Sequence, residues 1–146
     1  MRLTRRRATA AIEFALWLPI LLLFISAVVD WGWYMTRRVN VARATMDAAR
    51  VGATVYEPTS VTAGTLIRPR AITRAKDVLL GMGMPCGASC IVTATYCSNG
   101  GGGVCNNPPF DALVVQIQYE YEPFFGFIPV PNDIEEFFLM AVENQR

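Results

Sequence analysis

Four cysteines, Cys86, Cys90, Cys97 and Cys105, a glutamate at the doorstep of a long apolar run, Glu13, and the lack of any histidine bound the chemistry open to this chain. Without histidine, Ser-His-Asp and Cys-His catalytic sites and every histidine-bearing zinc site are excluded. Asp111, Glu120 and Glu122 could act as paired carboxylates, yet charges on strand surfaces are ordinarily just solvated. The chain therefore reads as a non-enzyme with no cofactor, no metal and no small-molecule substrate. The cysteines crowd into one loop-rich region, and their even number suits an oxidising compartment. They allow three pairings. Cys97 with Cys105 at a hairpin neck and Cys86 with Cys90 as a small local loop is the favoured set, while the alternatives cross-link those two segments. A metal or redox site is the rival reading, but Cys86-x-x-x-Cys90 has neither the spacing of redox motifs nor that of zinc fingers.

The elements that carry these residues divide into a membrane segment and a small domain. Of 146 residues, 53% are hydrophobic and 17% charged, and the mean hydropathy of +0.31 is high for a soluble domain. The formal charge is +1, but Arg2, Arg5, Arg6 and Arg7 precede the apolar run; without these four, nine basic residues face 12 acidic ones, a net of −3. No basic patch argues for nucleic acid. From Phe14 to Met35 only Asp30 is charged, roughly 22 residues against the ~20 a helix needs to cross a bilayer. A cleaved secretory signal has a shorter apolar region and a small-x-small site after it, whereas here Ser26 to Val29 lead straight into Asp30 and Trp31. The leading arginines favour a cytoplasmic N-terminus, although Arg37 and Arg38 weaken the asymmetry. Trp31, Trp33 and Tyr34 mark the outer interface, with Asp30 near it, and Pro19 predicts a bend rather than a break. A charge at the bilayer centre costs about 3 kcal/mol on insertion scales and less near the edge. Glu13 is thus satisfied either by the positive end of the helix macrodipole or by a specific partner.

Three motifs in order resemble a known family. "RRRATAAIEFALWLPILLLF", "VVDWG" (Val28 to Gly32) and "DAARVGA" (Asp47 to Ala53) are similar to the basic leader, membrane exit and alanine-rich helix of the TadE-like pseudopilins of the tight-adherence (Flp, type IVc) pilus machinery. The resemblance implies a pilin-like α+β fold: a long N-terminal helix and a small disulfide-bonded head with a short antiparallel sheet. It also implies that a prepilin peptidase cuts between Ala8 and Thr9, making Glu13, ahead of Phe14, the fifth mature residue. Glu13 then pairs with the freed α-amino group, in its own or a neighbouring subunit, and sets axial register. Family cleavage sites usually carry glycine where this chain has Ala8. The implied partners are the inner membrane, the peptidase, other pilins or pseudopilins and the assembly platform, in a pilus used for adhesion. The runner-up is an uncleaved single-pass anchor with a protein-binding extracytoplasmic head.

Beyond the membrane, Val39, Ala42, Met46, Ala49 and Ala53 recur at helical spacing, ending at Pro58 to Ser60. One rod from Thr9 to Tyr56 is roughly 70 Å long at ~1.5 Å per residue. The small residues Ala42, Ala44, Ala48, Ala49, Gly52 and Ala53 suit close packing on the protein's own domain or between subunits. "RAITRAKDVLLGMG" predicts a second helix, with Ile72, Ala75, Val78 and Leu79 on one side and Gly81 or Gly83 as its stop. Ile91–Tyr96 and Ala112–Tyr121 read as strands, joined by a flexible loop from Cys97 to Cys105, with a last strand near Glu136 to Glu143. Phe124, Phe125, Phe127 and Ile128 are expected to form or cap the head's core; exposed, they mark a partner surface. The expected organisation is a basic cytoplasmic leader over 1–8, a membrane segment over 9–35, an extracytoplasmic helix over 36–57 and a head over 58–146.

Overall fold

The computed structural model describes residues 2–57, 64–98, 105 and 109–142, residues 2–11 by their backbone alone. Helix α1 (Arg2–Ala53) is 52 residues long and runs through Pro19. It is the one described helix long and apolar enough to cross a membrane, and only 6% of its most apolar window is buried. These are the features of a single-pass membrane protein. The rod begins earlier and ends earlier than the expected Thr9 to Tyr56. Thr54 and Val55 are β-branched and weak helix formers, and their amides close the end in turn bonds to the Arg50 and Gly52 carbonyls. The stop expected at Pro58 to Ser60 lies outside the described residues.

The second half of α1 supports the head, but on a different face from the one the periodicity suggested. Val41, Ala44, Thr45, Ala48, Ala49 and Gly52 are buried, whereas Val39 and Met46 stay largely exposed. Small side chains decide this, because they let the helix α2 (Ile67–Gly81) and the sheet approach the α1 backbone. A Cβ on Gly52 would lie 2.4 Å from Leu113 Cδ2 and 2.9 Å from the Ala71 Cβ.

Helix α2 starts three residues before the expected Arg70 and buries Ile67, Ala71, Ala75 and Leu79 as one stripe; Ile72 and Val78 flank it, half-buried. It ends with Gly83 at φ 71°, the Met84 amide donating to the Leu79 carbonyl and the Gly83 amide to that of Leu80. Glycine is needed there because this closing motif puts its residue in the left-handed region. Leu66, at the other end, offers no side-chain cap. Glu57 supplies one from across the loop, its carboxylate accepting the amides of Gly64, Leu66 and Ile67.

Strands β1 (Cys90–Cys97), β2 (Ala112–Glu120) and β3 (Asp133–Ala141) form an antiparallel sheet in the order β1-β2-β3. The fold is α+β. Leu113, Val115 and Ile117 point at the helices as alternation requires. β3 begins at Asp133, before the expected Glu136, because the β2 register runs to the Glu120–Asp133 pair; Glu143 lies outside the described residues.

Two disulfides join Cys86 to Cys90 and Cys97 to Cys105. The second does not span a hairpin neck: Cys97 is registered with Ala112. Cys105 instead lies over the sheet end, where the pair buries Ala112 and Val114. That cover explains why both faces of β2 are buried there. The flexible stretch expected between them, residues 99–104, lies outside the described residues.

Gly52→Ala overpacks the α1–α2–β2 junction and is expected to lower stability by about 1–3 kcal/mol in denaturant unfolding of the detergent-solubilised chain. Burial pushes the Glu57 carboxyl up, but the amides of Ile67, Gly64 and Leu66 and the Arg68 charge outweigh it and hold it below its ordinary 4.5. A depressed folded value means that the cap contributes fully above the unfolded value and is lost as pH falls through the folded one. Amide exchange at Leu66 and Ile67, corrected for intrinsic rates, is expected to accelerate on acidification below that point, and Glu57→Gln to flatten the dependence.

Candidate functional site

Where α1 leaves its apolar run it meets the loop between β2 and β3. The neck of that loop closes through the Tyr121 amide donating to the Asn132 carbonyl at 2.7 Å. Its tip reaches back to Asp30, which is fully buried. The amides of Phe125 and Gly126 donate to the two Asp30 carboxylate oxygens at 2.9 and 3.1 Å. Gly126 sits at φ 69°, a conformation that costs glycine little and turns consecutive amides toward the anion. The Tyr121 hydroxyl donates to the Asp30 carbonyl at 3.1 Å; burial, and next the Asp30 charge, push the Tyr121 phenol above its ordinary range.

An aromatic ladder extends this joint. Tyr34, one turn beyond Asp30 on the same face, packs edge-on against Tyr121 at 5.3 Å and against Trp31 at 5.9 Å. Tyr34 was expected at the lipid headgroups; it is buried under the head, because residues four apart on a helix share a face. Trp31 and Trp33 remain substantially exposed, and the Arg37 guanidinium lies over the Trp33 ring at 4.7 Å. Further along, Arg38 pairs with Glu136 of β3 at 2.7 Å.

The expected packing of Phe124, Phe125 and Phe127 into the head's core is not what the structure holds. Phe124 and Phe127 are each 74% exposed and Phe125 45%, while Ile128 is half-buried. The backbone of the tip is committed to Asp30, which turns the rings outward. They pack on one another instead.

Glu13 and Phe14 are exposed on α1, and Glu13 stands 17 residues before Asp30, roughly 25 Å along the axis. The two carboxylates bracket the apolar stretch, near the ~30 Å depth of a bilayer core. Ala8 and Thr9 lie on continuous helical backbone. Asp111 stands at the opposite end of β2 from Glu120 and Glu122, about 30 Å away at ~3.3 Å per residue, so the three carboxylates are not brought together. Asp111 accepts a hydrogen bond from Tyr96, whose phenol burial and then that carboxylate push up to about 12. Glu120 and Glu122 line a cavity of about 300 Å³ with Trp33, Arg37 and Tyr121. Among the described residues no three His, Cys, Asp or Glu side chains gather as a metal site.

Residues 8–50 match the family described as TadE-like protein. The likeness is to this segment, less than a third of the chain. The match contains Glu13 and Asp30 and stops inside α1, before the head. No curated protein and no solved structure matches the chain.

Sequence reasoning placed Asp30 at the outer interface but missed its partner. The signal was there in two pieces, a single acid inside an apolar run and a glycine inside an aromatic loop, but nothing local links positions so far apart. Asp30→Ala strands two amides and is expected to lower the head's unfolding free energy by about 1–3 kcal/mol; Asp30→Asn, which keeps one acceptor oxygen, should lose less in the same denaturant titration.

Proposed function

We propose that the protein is a minor pilin or pseudopilin that sits in the inner membrane and takes part in assembling or priming a tight-adherence pilus used in adhesion. The TadE-like match over residues 8–50 carries this reading and associates the chain with the tight-adherence pilus system. In it, the leader over 1–8 is cytoplasmic, the peptidase cuts between Ala8 and Thr9, and α1 crosses the membrane with the head outside. The two disulfides support that orientation, since such bonds persist in oxidising compartments.

The chemistry assigned to Glu13 follows from its place. An exposed carboxylate at the edge of an apolar helix is costly in lipid unless a cation meets it. Cleavage creates an α-ammonium about one turn away, and a neighbouring subunit offers another. Glu13 and Phe14 then set the axial register of the subunit as it joins the filament. Other pilins or pseudopilins and the assembly platform are the partners.

One observation favours a second reading, an uncleaved anchor with a protein-binding head. The cut site carries Ala8 in place of the usual glycine, on helical backbone that must unwind to be cut. N-terminal sequencing of the membrane protein from cells with and without active prepilin peptidase separates the two. The pilin reading expects a chain starting at Thr9 only where the peptidase works, and failed pilus assembly with Glu13→Ala. An uncut N-terminus in both cells overturns it in favour of the anchor.

A further inference from the structure

The rings of Phe124, Phe125 and Phe127 form one exposed apolar cluster, with centroid spacings of 4.9 and 6.4 Å. Their place on the rod is fixed, because the amides of Phe125 and Gly126 are bound to Asp30. Asp30 is the single charged position in the apolar run and lies near its outer end, and Trp31 stands exposed beside it. The cover over α1 also reaches further toward the span than Asp30: Ser26, one turn deeper, is only 5% exposed. The cluster therefore stands alongside the helix at the depth where the helix itself passes from hydrocarbon to headgroups.

We propose that this loop is a second membrane anchor, with Phe124, Phe125 and Phe127 inserted into the interface of the bilayer that α1 crosses. Aromatic rings favour that level, and an apolar cluster continuous with a membrane-spanning helix meets lipid without any further partner being supplied. The Asp30 carboxylate remains dry beneath the loop, its charge met by the two amides, so the insertion does not expose it. The head is then held at two points, α1 and the loop tip, which fixes its rotation about the rod axis. Leaving the membrane for a filament requires withdrawing the three rings together with the span. The inference rests on the membrane-spanning reading of α1 and goes beyond the pilin role.

The test uses the full chain in phosphatidylcholine–phosphatidylglycerol vesicles. Trp17, Trp31 and Trp33 are changed to Phe, and a single indole is introduced by Phe127→Trp or, independently, Phe124→Trp; mass analysis of the nonreduced protein checks the two disulfides. With bromines placed near the headgroup end of the acyl chains, the introduced indole is expected to lose emission to the same degree as a variant retaining Trp31 alone, and to emit to the blue of an indole in water. Water-like emission with no loss to bromolipid at both positions overturns the proposal. So does an indole shielded from acrylamide but not quenched by bromolipid, which assigns the loop to a contact with a second copy of the chain. A variant retaining Trp17 alone, with bromines deep in the chains, reports the span, so a failure of the spanning reading is distinguished from a failure of the loop.

Discussion

A carboxylate inside an apolar helix must be given donors, and Asp30 takes them from backbone 95 residues further along the chain. That requirement organises the joint between rod and head. It bends the loop tip onto α1, selects a glycine able to hold φ 69° at position 126, and leaves the neighbouring phenylalanines no path into the core. A neutral residue at position 30 would free the loop to bury its rings elsewhere. The charge thus acts as a register mark within one molecule, tying β2 and β3 to one turn of the helix.

The rest of the head is built for close approach. Ala44, Ala48, Ala49 and Gly52 remove bulk from α1 so that Ala71 and Leu113 can reach its backbone. Glu57 then ties the end of α1 to the start of α2, replacing a cap that Leu66 cannot provide. The pair Cys97–Cys105 covers Ala112 and Val114 on the face of β2 opposite Leu113. Each device is local, yet together they carry a small sheet at the side of a long rod. The same rod must serve lipid in one half and protein in the other, and Asp30 marks the boundary.

Much of this was legible in the residues. The apolar run with its basic leader, the alternation of Leu113, Val115 and Ile117, and the glycine stop of α2 are period and cap signals that act over a few residues. The buried face of α1 was misjudged because periodicity weighs large apolar side chains such as Val39 and Met46, whereas burial followed the smallest ones. Tyr34 and the three phenylalanines were misplaced for one reason: their surroundings are set by a contact between distant segments. The Glu57 cap was hidden likewise, a side chain answering for a helix it does not belong to. Glu13 lies exposed on the rod where the apolar pattern put it.

The bond between Asp30 and the loop is the claim on which the account stands, and amide hydrogen exchange at Phe125 and Gly126, measured on the full chain in bilayer nanodiscs, addresses it most directly. The account predicts that both amides exchange far more slowly than their intrinsic rates and that Asp30→Ala releases them while leaving β2 protected. Exchange of both at open-chain rates in the unaltered protein would contradict it.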